Sequence, residues 1–246
     1  MKPWYETAFG DFYLELYSHR DQAEAERVLG LAFAQDELRN RTVIDVACGA
    51  GRYLEELHRR GAWALGVDLS PALLHAARER NSGLHLALAD MRTLPLCDRA
   101  VDWALSLFTS FGYFESMEEH RELAHELSRV VRRGVIVDVP NPRHLERNLV
   151  PESSREVGKH RIDERRRLLQ DPARVVKRVK IRDMSGELVR EYEERVMLFS
   201  PASFVGLFET AGLSATEMYG DYEGTPFREN ESPRQLARFE RVRNRA

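Results

Sequence analysis

Strand-like and helix-like segments alternate along residues 42–140, and this alternation constrains the fold more than any other feature of the sequence. Short apolar runs predict strands at 42–48, 62–69, 84–90, 100–108 and 134–140. Capped or amphipathic segments predict helices at 52–60, 71–80 and 116–131. Such alternation is typical of a parallel sheet covered by helices on both faces. Because crossovers between parallel strands are right-handed, the sheet should be doubly wound.

The pattern changes after Pro142. Strand-like runs at 164–169, 174–182 and 187–199 are separated by turn sequences, which predicts a small antiparallel sheet inserted into the α/β domain. A helix at 200–212 and a strand pair at 213–221 and 235–243 follow. We expect a single domain over residues 1–246, divided into an N-terminal helical lid (1–37), a cofactor-binding half (38–142), the antiparallel β insert (143–199) and a C-terminal helix and strand pair (200–246).

Composition narrows the class of protein. A chain of 246 residues can bury a substantial core, and 43% hydrophobic with 31% charged residues is typical of globular proteins. The net charge of −3 argues against a dedicated nucleic-acid binder. Cys48 and Cys97 are the only cysteines, and no Cys/His cluster has zinc spacing, so no metal site is predicted. No signal-peptide pattern or membrane-spanning run is present, and we expect a cytoplasmic protein.

The first strand leads into the glycine loop Gly49-Ala50-Gly51. Ligands of doubly wound sheets bind beyond the carboxyl ends of the strands, next to the first strand. The dinucleotide fingerprint has a third glycine, and here that position is Leu54. Asp45 inside the strand would repel a pyrophosphate but can help hold a cationic amino group. The loop therefore favours a nucleoside that carries an amino acid, unless Asp45 only caps the loop.

Two further acidic residues follow strands. Asp68 ends the second predicted strand, where a carboxylate can accept hydrogen bonds from both ribose hydroxyls. Asp90 ends the third strand, where it could accept from an adenine amino group while Leu69 and Met91 flank the ring. Three acids and a glycine loop predict a site for adenosine with an ammonium-bearing tail.

These residues resemble the motifs of the class I S-adenosylmethionine-dependent methyltransferases. The sequence DVACGAG is similar to the family's first motif, with alanine in place of its first glycine, and GVDLS and ALADMRTLPL resemble the second and third motifs. The resemblance implies a methyltransferase with S-adenosylmethionine as cofactor. It also implies a seven-stranded sheet in the order 3-2-1-4-5-7-6, with strand 7 antiparallel. The implied cofactor-binding residues are Asp45, Ala47, Cys48, Gly49, Gly51, Arg52, Asp68, Leu69, Asp90, Met91 and Leu107.

Three features resemble small-molecule methyltransferases that act on the amines of amino acids and amino sugars: the aromatic N-terminal helix at 3–37, the sequence SLFTSFGYF, and the insert. The candidate acceptor contacts are Tyr5, Phe9, Tyr13, Phe111, Tyr113, Asn141 and Tyr219. No general base is assigned. The N-terminal aromatic residues are also explained by packing on the sheet alone, and the aromatic residues after the fourth strand divide between site and core.

We expect methyl transfer to a small-molecule acceptor, an amine being one candidate. A methyltransferase acting on RNA or protein is the first alternative, because the insert and the C-terminal tail are basic. The basic insert is also explained by solvated hairpin faces. An NAD(P)-dependent oxidoreductase and a non-catalytic S-adenosylmethionine-binding domain also stay open. Leu54 and Asp45 argue against the oxidoreductase.

Overall fold

A computed structural model describes residues 3–9 and 22–242 and contains two sheets, one of seven strands and one of four. The seven-stranded sheet contains β1 (Thr42–Val46), β2 (Trp63–Asp68), β3 (His85–Leu88), β4 (Val101–Ser106), β5 (Val131–Pro140), β10 (Leu213–Tyr219) and β11 (Arg234–Arg241). The four-stranded sheet contains β6 (Glu152–Val157), β7 (His160–Gln170), β8 (Ala173–Asp183) and β9 (Leu188–Met197). The helices are α1 (Trp4–Ala8), α2 (Gln22–Ala32), α3 (Arg52–Arg59), α4 (Pro71–Arg80), α5 (Met117–Val130), α6 (Pro142–Asn148) and α7 (Pro201–Thr210).

The large sheet has the strand order β3-β2-β1-β4-β5-β11-β10. Strands β1 to β5 pair in parallel, whereas β11 is antiparallel to both of its neighbours, β5 and β10. With β10 as the sixth and β11 as the seventh strand of the sheet, the predicted order 3-2-1-4-5-7-6 is confirmed. The carboxyl ends of β1, β2, β3 and β4 therefore meet at one edge of the sheet.

The sheet is buried on both faces, as the alternating pattern predicted. On one face, α5 and α7 contribute Leu123, Leu127, Phe204 and Phe208 to an apolar core, and Phe208 stacks on Phe239 of β11 with ring centroids 4.2 Å apart. On the other face, α2 and α3 pack a second core around Trp103. Because both faces of the sheet are packed against a core, the positions of the strand ends and of the loops that follow them are fixed.

Side-chain caps explain where several helices begin. The Ser70 hydroxyl accepts a hydrogen bond from the Leu73 amide, and Ser116 forms a capping box with Glu119. Asn141 accepts from the Arg143 amide and starts α6, a helix that the sequence analysis did not predict. The Asn-Pro pair that begins α6 is nevertheless a helix-start signal, and it could have indicated this helix.

The four-stranded sheet is antiparallel throughout, in the order β6-β7-β8-β9. Its apolar core is small and consists of Ile162, Val179 and Ile181. Strand β6 was not predicted, because its sequence, ESSREV, is polar and all but two of its positions are exposed. This strand forms because it pairs with β7 at the edge of the sheet, not because its side chains are buried.

Candidate functional site

A cleft of about 500 Å³ lies at the carboxyl ends of the parallel strands. It brings together seven of the eleven predicted cofactor-binding residues: Ala47, Gly49, Asp68, Leu69, Asp90, Met91 and Leu107. Three predicted acceptor contacts, Tyr5, Phe9 and Tyr113, line the same cleft. Glu6 and Ser110, which the sequence analysis did not predict, also line it, and so do Phe108 and Phe114 from the aromatic run that was expected to divide between site and core. A largely apolar cleft with a few convergent polar groups is the usual form of a small-molecule site.

The loop after β1 turns sharply because alternate residues adopt left-handed backbone. The φ angles are +58° at Ala47, +55° at Gly49 and +79° at Gly51. A Cβ built on Gly49 would meet nothing closer than Leu73 at 4.0 Å, whereas one on Gly51 would lie 2.9 Å from Leu84. Gly49 therefore faces open space beside the cleft, and Gly51 is required by packing against the core. Ala47 tolerates a conformation that glycine would adopt without strain.

Asp68 ties the glycine loop to the start of α4. Its Oδ2 accepts a hydrogen bond from the Gly49 amide at 2.9 Å, and its Oδ1 accepts from the Ser70 amide at 2.8 Å. Burial raises the pKa of Asp68, and the backbone hydrogen bonds partly offset this effect. A carboxylate has about four acceptor sites, so two remain for hydroxyl groups in the cleft.

Asp45 is buried, with 2% of its surface exposed, and its Oδ2 has no hydrogen-bond partner. Burial raises the pKa of Asp45 to about 8. The positive charge of Arg52 opposes this rise, and the negative charge of Asp68 adds to it. An unpaired buried carboxyl oxygen is costly. That oxygen does not cap the loop, and it can accept a hydrogen bond from a cationic group brought close to the loop.

Asp90 is held by a residue that the sequence analysis did not single out. Arg92 donates to both of its carboxylate oxygens, the shortest contact being 2.7 Å, and also donates to Glu119 at 2.9 Å. Burial alone would raise the pKa of Asp90, but the hydrogen bonds and charge of Arg92 hold it below its ordinary value. Arg92 also lies 4.8 Å from the centre of the Phe114 ring. Asp90 therefore enters the cleft as a fixed, ionised group.

Aromatic side chains from two distant segments form one wall of the cleft. Phe9 stacks on Tyr113 with ring centroids 5.4 Å apart, and Tyr5 makes an edge contact with Phe114 at 5.7 Å. The Ser70 hydroxyl donates a hydrogen bond of 2.9 Å to the Phe9 carbonyl. Residues 3–9 thus contact the start of α4 and the aromatic loop after β4.

The other four predicted cofactor-binding residues do not line the cleft. Cys48 is buried in the core beside α3 and its thiol pKa is raised by burial, while Arg52 pairs with Glu24 at 2.6 Å. Gly51 packs against Leu84. Asp45 lies in β1, directly before the glycine loop.

Three predicted acceptor contacts have other surroundings, which corrects their assignment. Phe111 is fully buried among Phe199, Phe204 and Phe208, and the Asn141 amide donates to the carbonyls of Glu229 and Ser232. The Tyr219 hydroxyl donates to Glu217 at 3.0 Å, outside the cleft. Proximity to a strand end in sequence did not decide which way these side chains point. Tyr13 falls outside the described residues.

Residues 43–134 match the family described as a methyltransferase domain. This segment of the chain is similar to a methyltransferase domain. The predicted resemblance to class I S-adenosylmethionine-dependent methyltransferases is confirmed for residues 43–134.

Similar proteins include small-molecule methyltransferases. A dTDP-3-amino-3,4,6-trideoxy-alpha-D-glucopyranose N,N-dimethyltransferase of Streptomyces venezuelae is 33% identical over 120 residues, which cover 47% of this chain and 49% of that protein. The CcbJ methyltransferase of Streptomyces caelestis has a similar structure, with a TM-score of 0.80 and 18% identity over 97% of this chain and 99% of that chain. The sugar N-methyltransferase KedS8 of Streptoalloteichus has a TM-score of 0.73 and 22% identity over 95% of this chain and 94% of that chain.

The chain spans about half the length, or less, of the curated relatives it matches. The two structural likenesses concern the fold of the methyltransferase domain and of the segments around it. Within residues 3–9 and 22–242, no helix is long and apolar enough to cross a membrane. The cytoplasmic location remains a prediction.

Proposed function

We propose that this protein transfers a methyl group from S-adenosylmethionine to a small-molecule acceptor. One observation carries the proposal: a single cleft at the strand ends combines a left-handed glycine loop, two carboxylates and an aromatic wall. Such a wall excludes water and can face a cation. The family of residues 43–134 supports the same activity.

The residues of the cleft fit the cofactor. Asp68 keeps acceptor sites for the ribose hydroxyls, and the unpaired Oδ2 of Asp45 can receive a hydrogen bond from the amino group of the methionine tail, directly or through water. Leu69 and Met91 offer apolar contacts for the adenine ring beside Asp90. When bound, S-adenosylmethionine supplies a methyl group already activated by sulfonium. The protein aligns the two reactants and keeps water out.

We propose an amine of an amino sugar as the acceptor group. Two observations support this choice. The Streptomyces venezuelae relative is named as an amino-sugar N,N-dimethyltransferase. In this protein, Glu6 lies among the aromatic residues of the cleft. A carboxylate beside an aromatic wall attracts an ammonium group and orients it, and that group must release a proton to solvent before its nitrogen can accept the methyl group.

An acceptor panel tests the proposal. Amino-sugar nucleotides, amino acids, phenols and short RNAs are incubated with S-adenosylmethionine at low and high salt, and release of S-adenosylhomocysteine is measured. We expect turnover with an amine that changes little with salt. Turnover with RNA that falls steeply with salt would replace the small-molecule assignment. Failure of the protein to bind S-adenosylhomocysteine would refute the cofactor assignment itself.

A further inference from the structure

Two consecutive residues after β4 have left-handed backbone although neither is glycine. The φ angles are +59° at Phe108 and +76° at Thr109. Bulky and β-branched residues rarely adopt this conformation, and such residues persist only where the surroundings hold them. Phe108 lines the cleft, so the conformation of this pair shapes the site.

The group that holds this pair is a buried ion pair on the neighbouring strands. The Phe108 amide donates to Oδ2 of Asp138 at 3.0 Å, and the Thr109 amide donates to the carbonyl of Asp138 at 3.1 Å. Arg234 donates to both carboxylate oxygens of Asp138, at 2.6 and 2.7 Å, and to the Thr109 hydroxyl at 2.8 Å. The Tyr222 hydroxyl completes the set with a bond of 2.6 Å to Asp138.

Most of these bonds converge on one carboxylate that is 0% exposed. Asp138 lies near the end of β5, Arg234 begins β11, and Tyr222 lies between β10 and β11, so three parts of the chain fix the loop. Hydrogen bonds to a buried charge are stronger than those between neutral groups. If Arg234 only neutralised the charge of Asp138, its two bonds to the carboxylate would be sufficient. Its additional bond to the Thr109 hydroxyl connects the ion pair to the loop.

We propose that Asp138, Arg234 and Tyr222 are positioning residues, which hold Phe108 and Thr109 in the left-handed conformation that places Phe108 in the wall of the cleft. We call the three residues the loop clamp. None of the three lines the cleft, and they act through Phe108. The loop clamp rests on the proposed function in one respect, which is the choice of S-adenosylhomocysteine as the ligand for the test.

The test compares Arg234→Lys with Arg238→Lys. Both arginines lie on β11 and both form a bidentate pair, Arg238 with Glu37 at 2.7 and 3.1 Å, but Arg238 lies away from the cleft. We expect Arg234→Lys to weaken S-adenosylhomocysteine binding on the order of tenfold by calorimetry, and to speed amide exchange at Phe108 and Thr109. Arg238→Lys should lower the melting temperature without either effect.

A rescue variant separates positioning from general stability. Glycine adopts positive φ without strain, so Thr109→Gly in the Arg234→Lys background should restore most of the binding. Unchanged binding and exchange in Arg234→Lys, or no recovery in the double variant, would overturn the proposal. If the wild-type protein does not bind S-adenosylhomocysteine, the proposed function fails, and amide exchange at the two residues still tests the loop clamp. Tyr222→Phe, which removes one bond and leaves no cavity, replaces Arg234→Lys if that variant does not fold.

Discussion

Replacement of Asp68 by alanine gives the sharpest test of the cofactor site. The carboxylate holds the amides of Gly49 and Ser70 and has acceptor sites left for two ribose hydroxyls. Loss of a hydrogen bond to a charged group costs about 1.5–3 kcal/mol, so two such bonds to the ribose correspond to about 3–6 kcal/mol. Since about 1.4 kcal/mol is a factor of ten, affinity for S-adenosylhomocysteine should fall on the order of 100-fold or more.

Calorimetry on the folded variant measures this loss. Asp102→Ala is the matched control, because Asp102 also accepts a backbone hydrogen bond, from the Thr42 amide at 3.0 Å, but at the start of β1. Both variants should lose stability, and only Asp68→Ala should lose binding. Near wild-type affinity in Asp68→Ala would show that the ribose is not bound there. Equal losses in both variants would show that the effect reflects stability alone.

Three more outcomes are expected. Gly49→Ala should fold and bind S-adenosylhomocysteine weakly, whereas Gly51→Ala should mainly lower the melting temperature because its Cβ would crowd Leu84; the reverse pattern would contradict the assignment of the two glycines. The pKa of Asp45 is raised from 3.8 to about 8, so the folded state retains a proton that the unfolded state has lost. The free energy of unfolding without ligand should therefore contain a part that falls between pH 4 and 8, and Asp45→Asn should remove it; identical pH profiles would contradict this. Amides of residues 3–9 should exchange more slowly once S-adenosylhomocysteine is bound, and equal protection with and without it would indicate an ordinary packed helix.

The sequence predicted those features that local pattern and strand topology determine together. Asp68 and Asp90 follow neighbouring parallel strands, so the period of the apolar runs was enough to place both at one edge of the sheet. Asn141 also follows a strand, but its amide is used to bind carbonyls of residues 229 and 232. That bond depends on a contact between segments far apart in sequence. Strand position alone could not indicate it.

The fate of the aromatic loop shows the same limit. Phe111 and Phe114 lie three residues apart in the loop after β4 and both belong to the buried core, yet only Phe114 also lines the cleft. The left-handed pair Phe108–Thr109 and the short 3₁₀ turn Ser110–Gly112 set their directions. No glycine marks this pair, so composition gave no indication of the turn.

The wall formed by residues 3–9 has a consequence for how this protein and its relatives can diverge. These residues precede the family match at 43–134, yet they supply Tyr5, Glu6 and Phe9 to the cleft. A short segment that lies outside the sheet can be altered without disturbing the sheet's hydrogen-bond ladder. Chimeric proteins that exchange only this segment would therefore present a new face to the acceptor while leaving the side of the cleft that contains Asp68 intact.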